Sequence, residues 1–276
     1  MFTMYDTNMQ KIEYPAGFRP LDIFISAIEK ERQTGRAEGS NRQIDYGFTH
    51  GSRDIDLKFR LRANDTKDYR LIRDAAYRLF GRKFYVAEDY QPGKRYLVSV
   101  DERFIPDRPQ GNQTYAEGSV KCTPLELPYA ESIGTTLDLH REGASADAGL
   151  WGYGMGLIAE EGSTDYIHTG SSFRVYNAGD VEVHPFESYL RIVIDQVTGS
   201  TVDFVLSNYT TGDVFRYIEP LTGTLVLDSP KVTRNDAAAL GKTNRQFISL
   251  APGWNEFTVE GATSARVSFD FRFLYQ

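Results

Sequence analysis

Between positions 54 and 62 the chain reads DIDLKFRLR, with Ile55, Leu57, Phe59 and Leu61 on one side of the alternation and Asp56, Lys58 and Arg60 on the other. A period of two is that of a strand with one buried face. Asn64, Asp65 and Thr66 then offer cap side chains, and Tyr69, Ile72, Ala75, Ala76, Leu79 and Phe80 recur at helical spacing up to Gly81. This predicts one short helix with a single apolar stripe. KFYVA, a QPGK turn and RYLVSVD read as a hairpin, because Pro and Gly punctuate two β-rich runs. LDIFISAIE upstream and SVKCT downstream, with Val120 and Cys122 sharing a face, read as further strands. The helix thus joins an alternating strand to a hairpin, and its stripe packs on the sheet that they form.

Two polar, Gly-containing stretches interrupt this half, QTGRAEGSNRQ (33–43) and IPDRPQGNQT (105–114). Long loops in a compact domain are often functional or ordered by a partner. From 125 to 170 the pattern loses any sustained period, with LPYAES, REGASADAG, WGYGMG and EEGST. Short β-rich runs then return at regular intervals: SFRVYN, YLRIVID, TVDFVLS, VFRYI, TLVLD, QFISL, EFTVE and ARVSFDFRF. That rhythm is expected of a β-sandwich. The resulting expectation is a mainly β chain with an N-terminal β-sandwich-like domain bearing one short helix (1–135), a linker (136–170) and a C-terminal β-sandwich (171–276).

A length of 276 residues favours two domains. No apolar run approaches the ~20 residues that span a bilayer, so no membrane partner is expected. The opening MFTMYDTNMQKIEY lacks the charged start, apolar core and cleavage site of a leader, so synthesis in a cytoplasm is expected. A lone Cys122 has no disulfide partner within the chain. The net charge of −7 argues against a surface built to neutralise phosphates. Arg60, Arg62, Lys67, Arg70, Arg73, Arg78, Arg82 and Lys83 cluster around the helix among Asp54, Asp56, Asp65, Asp68 and Asp74, and read as a solvated, ion-paired face.

Catalytic chemistry finds little support in the sequence. His50, His140, His168 and His184 lack metal-ligand spacing, and WGYGMG is better read as a linker turn than as a phosphate cradle. No GxSxG elbow occurs, and Cys122 in an alternating strand reads as a buried structural thiol. Neither catalytic, metal nor cofactor-binding residues are expected. Acidic pairs such as Asp54 and Asp56, or Glu160 and Glu161, keep a hydrolase as a third-ranked option. The Asn-x-Thr triplets at Asn64, Asn112 and Asn208 read as a helix cap and two turns.

TGRAEG, then RDIDLKFRLRANDTKDYRLIRDAAYRLFGRKFYV, then the KCTPLELPY exit make the N-terminal half resemble the distal tail protein (Dit) family of long-tailed, non-contractile phages, the siphoviruses. The C-terminal half is similar to the second domain of such proteins through FRVYNAGDVEVHP, LSNYTTGDVFRY, ISLAPGWNEFTVEG and VSFDFRF. The resemblance implies a structural baseplate part of the virion tail tip. It implies a homo-oligomeric, hexameric ring built by the N-terminal domain, with tail tube protein on one face and the tail-tip or receptor-binding protein on the other. DNA would pass through the channel without specific binding, and an acidic lumen would repel it. The second domain is expected to resemble galectins or carbohydrate-binding modules, so the alternative function is recognition of host cell-wall polysaccharide. Trp254 and Tyr209, with Tyr176 and Tyr217 available nearby, are the candidate glycan platform, although the galectin sequence pattern is missing at His184 and Trp254. A buried sandwich core is the better reading of most of these aromatics.

Overall fold

The computed structural model describes residues 1–145 and 149–276, so the middle of REGASADAG lies outside the described residues. The chain divides into two units, Met1–Ala130 together with Gln276, and Glu131–Tyr275. Charge divides unevenly with them. Residues 1–130 hold 21 basic and 19 acidic side chains, while 131–276 hold 10 and 19. The chain's acidic excess therefore belongs to the second unit.

The first unit contains β1 (Phe2–Tyr5), β2 (Phe18–Ile25), β3 (Lys30–Arg36), β4 (Gln43–His50), β5 (Ile55–Arg62), α1 (Thr66–Leu79), β6 (Phe84–Glu88), β7 (Lys94–Ser99) and β8 (Tyr115–Pro124). Six strands pair in the order β1-β6-β7-β8-β5-β2. The join between β7 and β8 is short, Val98 opposite Pro124 and Ser99 opposite Thr123, so each half of the sheet carries its own ladder. The alternation of 54–62 is realised: Ile55, Leu57, Phe59 and Leu61 are fully buried. Helix α1 answers to the same core. Tyr69, Ile72 and Ala76 are buried on its inner face, and Phe80 at its C-terminus meets Phe59 of β5, Phe84 of β6 and Phe18 of β2 at ring separations of 5.5 to 6.0 Å. The helix end fills the space between the two halves of the sheet with aromatic area.

Its start is capped by Asp65, whose carboxylate accepts from the backbone N–H of Lys67 (2.7 Å) and Asp68 (2.8 Å). Asn64 does not cap the helix; its own N–H donates to Asp68 at 2.9 Å. Asp65→Ala is expected to cost about 0.5–2 kcal/mol by orphaning two N–H groups. A denaturation midpoint unchanged from the parent would contradict this role.

Cys122 is fully buried in β8 opposite Ile55. Burial, with Asp56 and Asp101 adding to it, pushes its thiol up to about 12, which makes it an inert packing group. Opposite Phe59, β8 carries Gly118, where any Cβ would run into the Phe59 ring. The glycine lets that ring lie across the neighbouring strand.

The second unit is entered through β9 (Ala130–Ser132) and contains α2 (Thr136–Glu142), β10 (Ile167–His168), β11 (Ser172–Asn177), β12 (Leu190–Thr198), β13 (Phe204–Asn208), β14 (Asp213–Tyr217), β15 (Leu225–Asp228), β16 (Lys231–Arg234), β17 (Ala237–Ala238), β18 (Gly253–Glu260), β19 (Ser264–Phe271) and β20 (Leu274–Tyr275). Two sheets form, β10-β19-β12-β15-β16-β17 and β11-β18-β13-β14. Phe257 of one and Phe269 of the other are buried 4.9 Å apart, with Phe173 stacked on Phe257 at 5.5 Å. Inward and outward residues alternate along both sheets, as in a sandwich.

Residues 136–170, expected to be a linker, are folded into this unit where they are described. Helix α2 carries a capping box between Thr135 and Asp138. Trp151 of WGYGMG is buried, donates from Nε1 to Glu142 (3.2 Å) and packs edge-on against Phe273. Tyr166 is fully buried, its hydroxyl 3.0 Å from the Tyr176 carbonyl and 3.2 Å from that of Ser163, which share its one proton. Gly156, at φ +69°, lies where a Cβ would meet the Ala178 carbonyl, so WGYGMG is a packed crossing. Isolated anchors hold this stretch, and anchors leave no period to read. QFISL is likewise no strand; it touches its neighbour through the single bridge Leu250 to Val183.

Candidate interaction surfaces

The stretch 33–43, expected to be a loop, is the tip of a hairpin. Strands β3 and β4 pair only with each other, with a bulge between Arg32 and Thr34. Nearly every residue of both strands is exposed. Ile44 (44%) and Tyr46 (67%) lie on one face, Tyr46 against Gly35, while the bulge turns Phe48 (49%) to the other face beside Lys30 and His50, so both faces leave large apolar area in water. Lys30 lies over the Phe48 ring at 4.8 Å, and at the base His50 Nδ1 meets the Tyr129 hydroxyl at 2.6 Å. A lone two-stranded hairpin is marginal in water, and its unpaired edges are templates for another chain.

The basic face around α1 is solvated, but it is not ion-paired. Of the clustered arginines and lysines, only Arg73 is in an ion pair among the described residues, with its neighbour Asp74 at 2.7 Å. The acids are occupied elsewhere: Asp54 holds Lys121 at 3.0 Å, while Asp65 and Asp68 bond the backbone at the helix start. The other polar stretch, 105–114, carries one turn of 3-10 helix, and Asn112 Oδ1 there accepts from the N–H of Thr114 and of Tyr115.

In the second unit the proposed aromatic platform is divided. Trp254 is half-buried on the outer face of β18. Arg174 lies over its ring at 4.2 Å, Tyr176 packs against it at 5.1 Å, and its Nε1 donates to Glu160 at 3.2 Å. Tyr209 is 64% exposed and makes no ring contact with Trp254 among the described residues. Tyr217 is fully buried.

A different arrangement stands beside it. Asn177, Asn208 and Asn255, at or near the ends of β11, β13 and β18, are all buried. Asn177 Nδ2 donates to the carbonyls of Val181 (3.1 Å) and Leu250 (3.2 Å). Asn208 Nδ2 donates to Ser249 O (2.9 Å) and Asn255 Oδ1 (3.1 Å), and its Oδ1 accepts from the Thr210 N–H. Asn255 Nδ2 in turn donates to the carbonyls of Ala251 and Gly253. A satisfied buried network of this kind fixes backbone geometry. Here it pins the segments around 181–183, 208–212 and 249–253, which frame a groove of about 400 Å³. Asn208 opens the turn the sequence announced, its Oδ1 accepting from the Thr210 N–H and its carbonyl from the Gly212 N–H, and is also a member of this network.

The histidines are dispersed. His140 Nδ1 lies 3.1 Å from Thr164 O, and His168 stacks on Phe173 at 4.4 Å. Burial lowers the His168 imidazole below its ordinary value. No group of three metal-ligating side chains occurs among the described residues, and no helix there is long and apolar enough to cross a membrane.

Residues 10–121 match the family model of the phage tail protein RIFT-related domain. A comparison with curated proteins found no match. Among solved structures the chain resembles the Dit protein (gp 19.1) of phage SPP1, described as a paradigm of the hub adsorption apparatus of phages infecting Gram-positive hosts. The TM-score is 0.65 at 12% identity, covering 99% of both chains. Two structures of the phage p2 baseplate in its activated conformation, with strontium and with calcium, match at TM-scores of 0.39 and 0.40. Their identities are 9% and 10%, covering 98% and 99% of this chain and 97% of each of theirs. Residues 10–121 thus match the phage tail protein RIFT-related domain, and the chain has a fold similar to that of a siphophage distal tail protein.

Proposed function

We propose that this chain is a structural hub of the phage tail tip, made in the host cytoplasm, which assembles into a homo-hexameric ring between tail tube and adsorption apparatus. The role is one of assembly, with no catalysis. The observation that carries it is the β3–β4 hairpin, an arm with exposed apolar side chains on both faces and open edges, on a unit that matches the phage tail protein RIFT-related domain. A subunit arm of this kind gains its missing partner by lying on the next copy, through main-chain pairing or apolar contact.

In this reading the first unit builds the ring, and the second unit, with 136–170 folded into it, stands as the second domain. The tube protein and a tail-tip or receptor-binding protein are the neighbours on either face, and DNA crosses the channel without specific binding. The first unit is close to neutral, so the acidity of the whole chain does not argue for an acidic lumen. Light scattering across a concentration series tests the assembly. A species near six times 31.2 kDa supports the ring; a monomer at every concentration, with no rings by electron microscopy, contradicts it.

A further inference from the structure

The groove framed by the three buried asparagines has its own chemistry. Phe186, 60% exposed, meets Phe247 edge-on at 5.1 Å, so two rings form an apolar corner. Opposite stands Asp213. Its Oδ2 accepts from the Ser249 N–H (2.8 Å), the Ser249 hydroxyl (2.6 Å) and the Thr211 hydroxyl (2.7 Å). These bonds lock the carboxylate and leave Oδ1 as an acceptor without a partner among the described residues. Burial works to raise this carboxyl, but the bonds from Ser249 and Thr211 and the nearby His184 outweigh it and hold the group below its usual range. His184 Nδ1 faces the Phe186 N–H at 3.4 Å, which leaves Nε2 as the ring's donor. The groove therefore joins an exposed aromatic face, a fixed acceptor and a donor.

Ligand classes separate on these features. An anion meets Asp213 and Glu182 in a unit carrying 19 acidic and 10 basic side chains. A metal ion lacks a ligand set among the described residues. A small cation would satisfy the carboxylates but would face the histidine donor. A neutral polyhydroxylated ring uses every feature: its C–H face covers Phe186, and adjacent hydroxyls donate to Asp213 and accept from His184. The volume suits one or two such rings.

We propose that the His184–Phe186–Asp213–Phe247 groove binds a neutral saccharide, and that Trp254 is not its platform. The site lies wholly within the second unit, so it stands or falls separately from the ring.

Saturation-transfer NMR on the full chain tests it with methyl α-glucopyranoside, methyl α-galactopyranoside and N-acetylglucosamine. Each is used at about 10 mM, ten times a millimolar Kd. Transfer to ring C–H protons of at least one sugar is expected. Phe186→Ala and His184→Gln should each weaken it roughly tenfold, while Trp254→Ala leaves it unchanged. Phe186 is exposed, so its removal should keep the fold; a melting curve matching the parent confirms that. No transfer from any of the three sugars overturns the proposal. Transfer lost in Trp254→Ala but kept in folded Phe186→Ala does so too, as does binding of ethanolamine in place of the sugars.

Discussion

A chain carrying Ile44→Ser, Tyr46→Ser and Phe48→Ser together is expected to lose assembly while both units keep their thermal stability. Ile44 and Tyr46 lie on one face and Phe48 on the other of a hairpin that belongs to none of the larger sheets, and each is about half exposed or more. Their removal therefore costs their own unit little. Burial of the remaining area against another copy contributes roughly 1 kcal/mol each, so the triple change weakens each contact by about two orders of magnitude. Light scattering should show the mass falling toward that of a single chain, with an unchanged calorimetric profile. An oligomer of undiminished mass would remove the hairpin from the interface. A loss of mass accompanied by unfolding would instead make β3–β4 an intramolecular support.

Phe59→Ala is expected to be the most damaging single change in the first unit, at about 3–5 kcal/mol. The ring is fully buried and touches Phe18 at 4.9 Å, Phe80 at 5.5 Å and Phe104 at 6.1 Å, so its loss disconnects α1, β2 and the stretch after β7 at once. Collapse cannot heal the void from below, because Gly118 on the neighbouring strand has no side chain to move into it. A loss of that size is a large share of the stability of an ordinary domain. Urea titration of the parent and the variant measures it; a difference below about 1 kcal/mol would show that the aromatic cluster repacks freely.

The parts legible in the sequence were those in which local pattern and tertiary burial agree. DIDLKFRLR, the helix stripe and the runs at β12, β18 and β19 each present one face to a core, so their period survives as spelling. The β3–β4 hairpin was invisible for the opposite reason: with both faces in water, KERQTGR has no apolar alternation, and its glycine reads as a loop signal. Trp151 and Tyr166 are single anchors in irregular backbone, so the stretch around them looked like a linker. The groove could not be read because 184–186, 211–213 and 247–249 meet only through the fold. Asn177, Asn208 and Asn255, which bring them together, are residues that otherwise announce turns. Trp254 drew attention as a large aromatic, but nothing nearby in sequence announces Arg174 and Glu160 as its companions.

The uneven division of charge has a consequence for any object made of many copies. Like charge accumulates with copy number: the first units, with 21 basic and 19 acidic groups, add almost nothing, whereas the second units, with 10 and 19, push one another apart. Packing of first units against each other thus proceeds with little electrostatic work, and crowding of second units is opposed unless salt or a basic neighbour screens them. The same chain is in this sense adhesive at one end and self-spacing at the other. In such an object a rise in ionic strength would weaken the repulsion between second units.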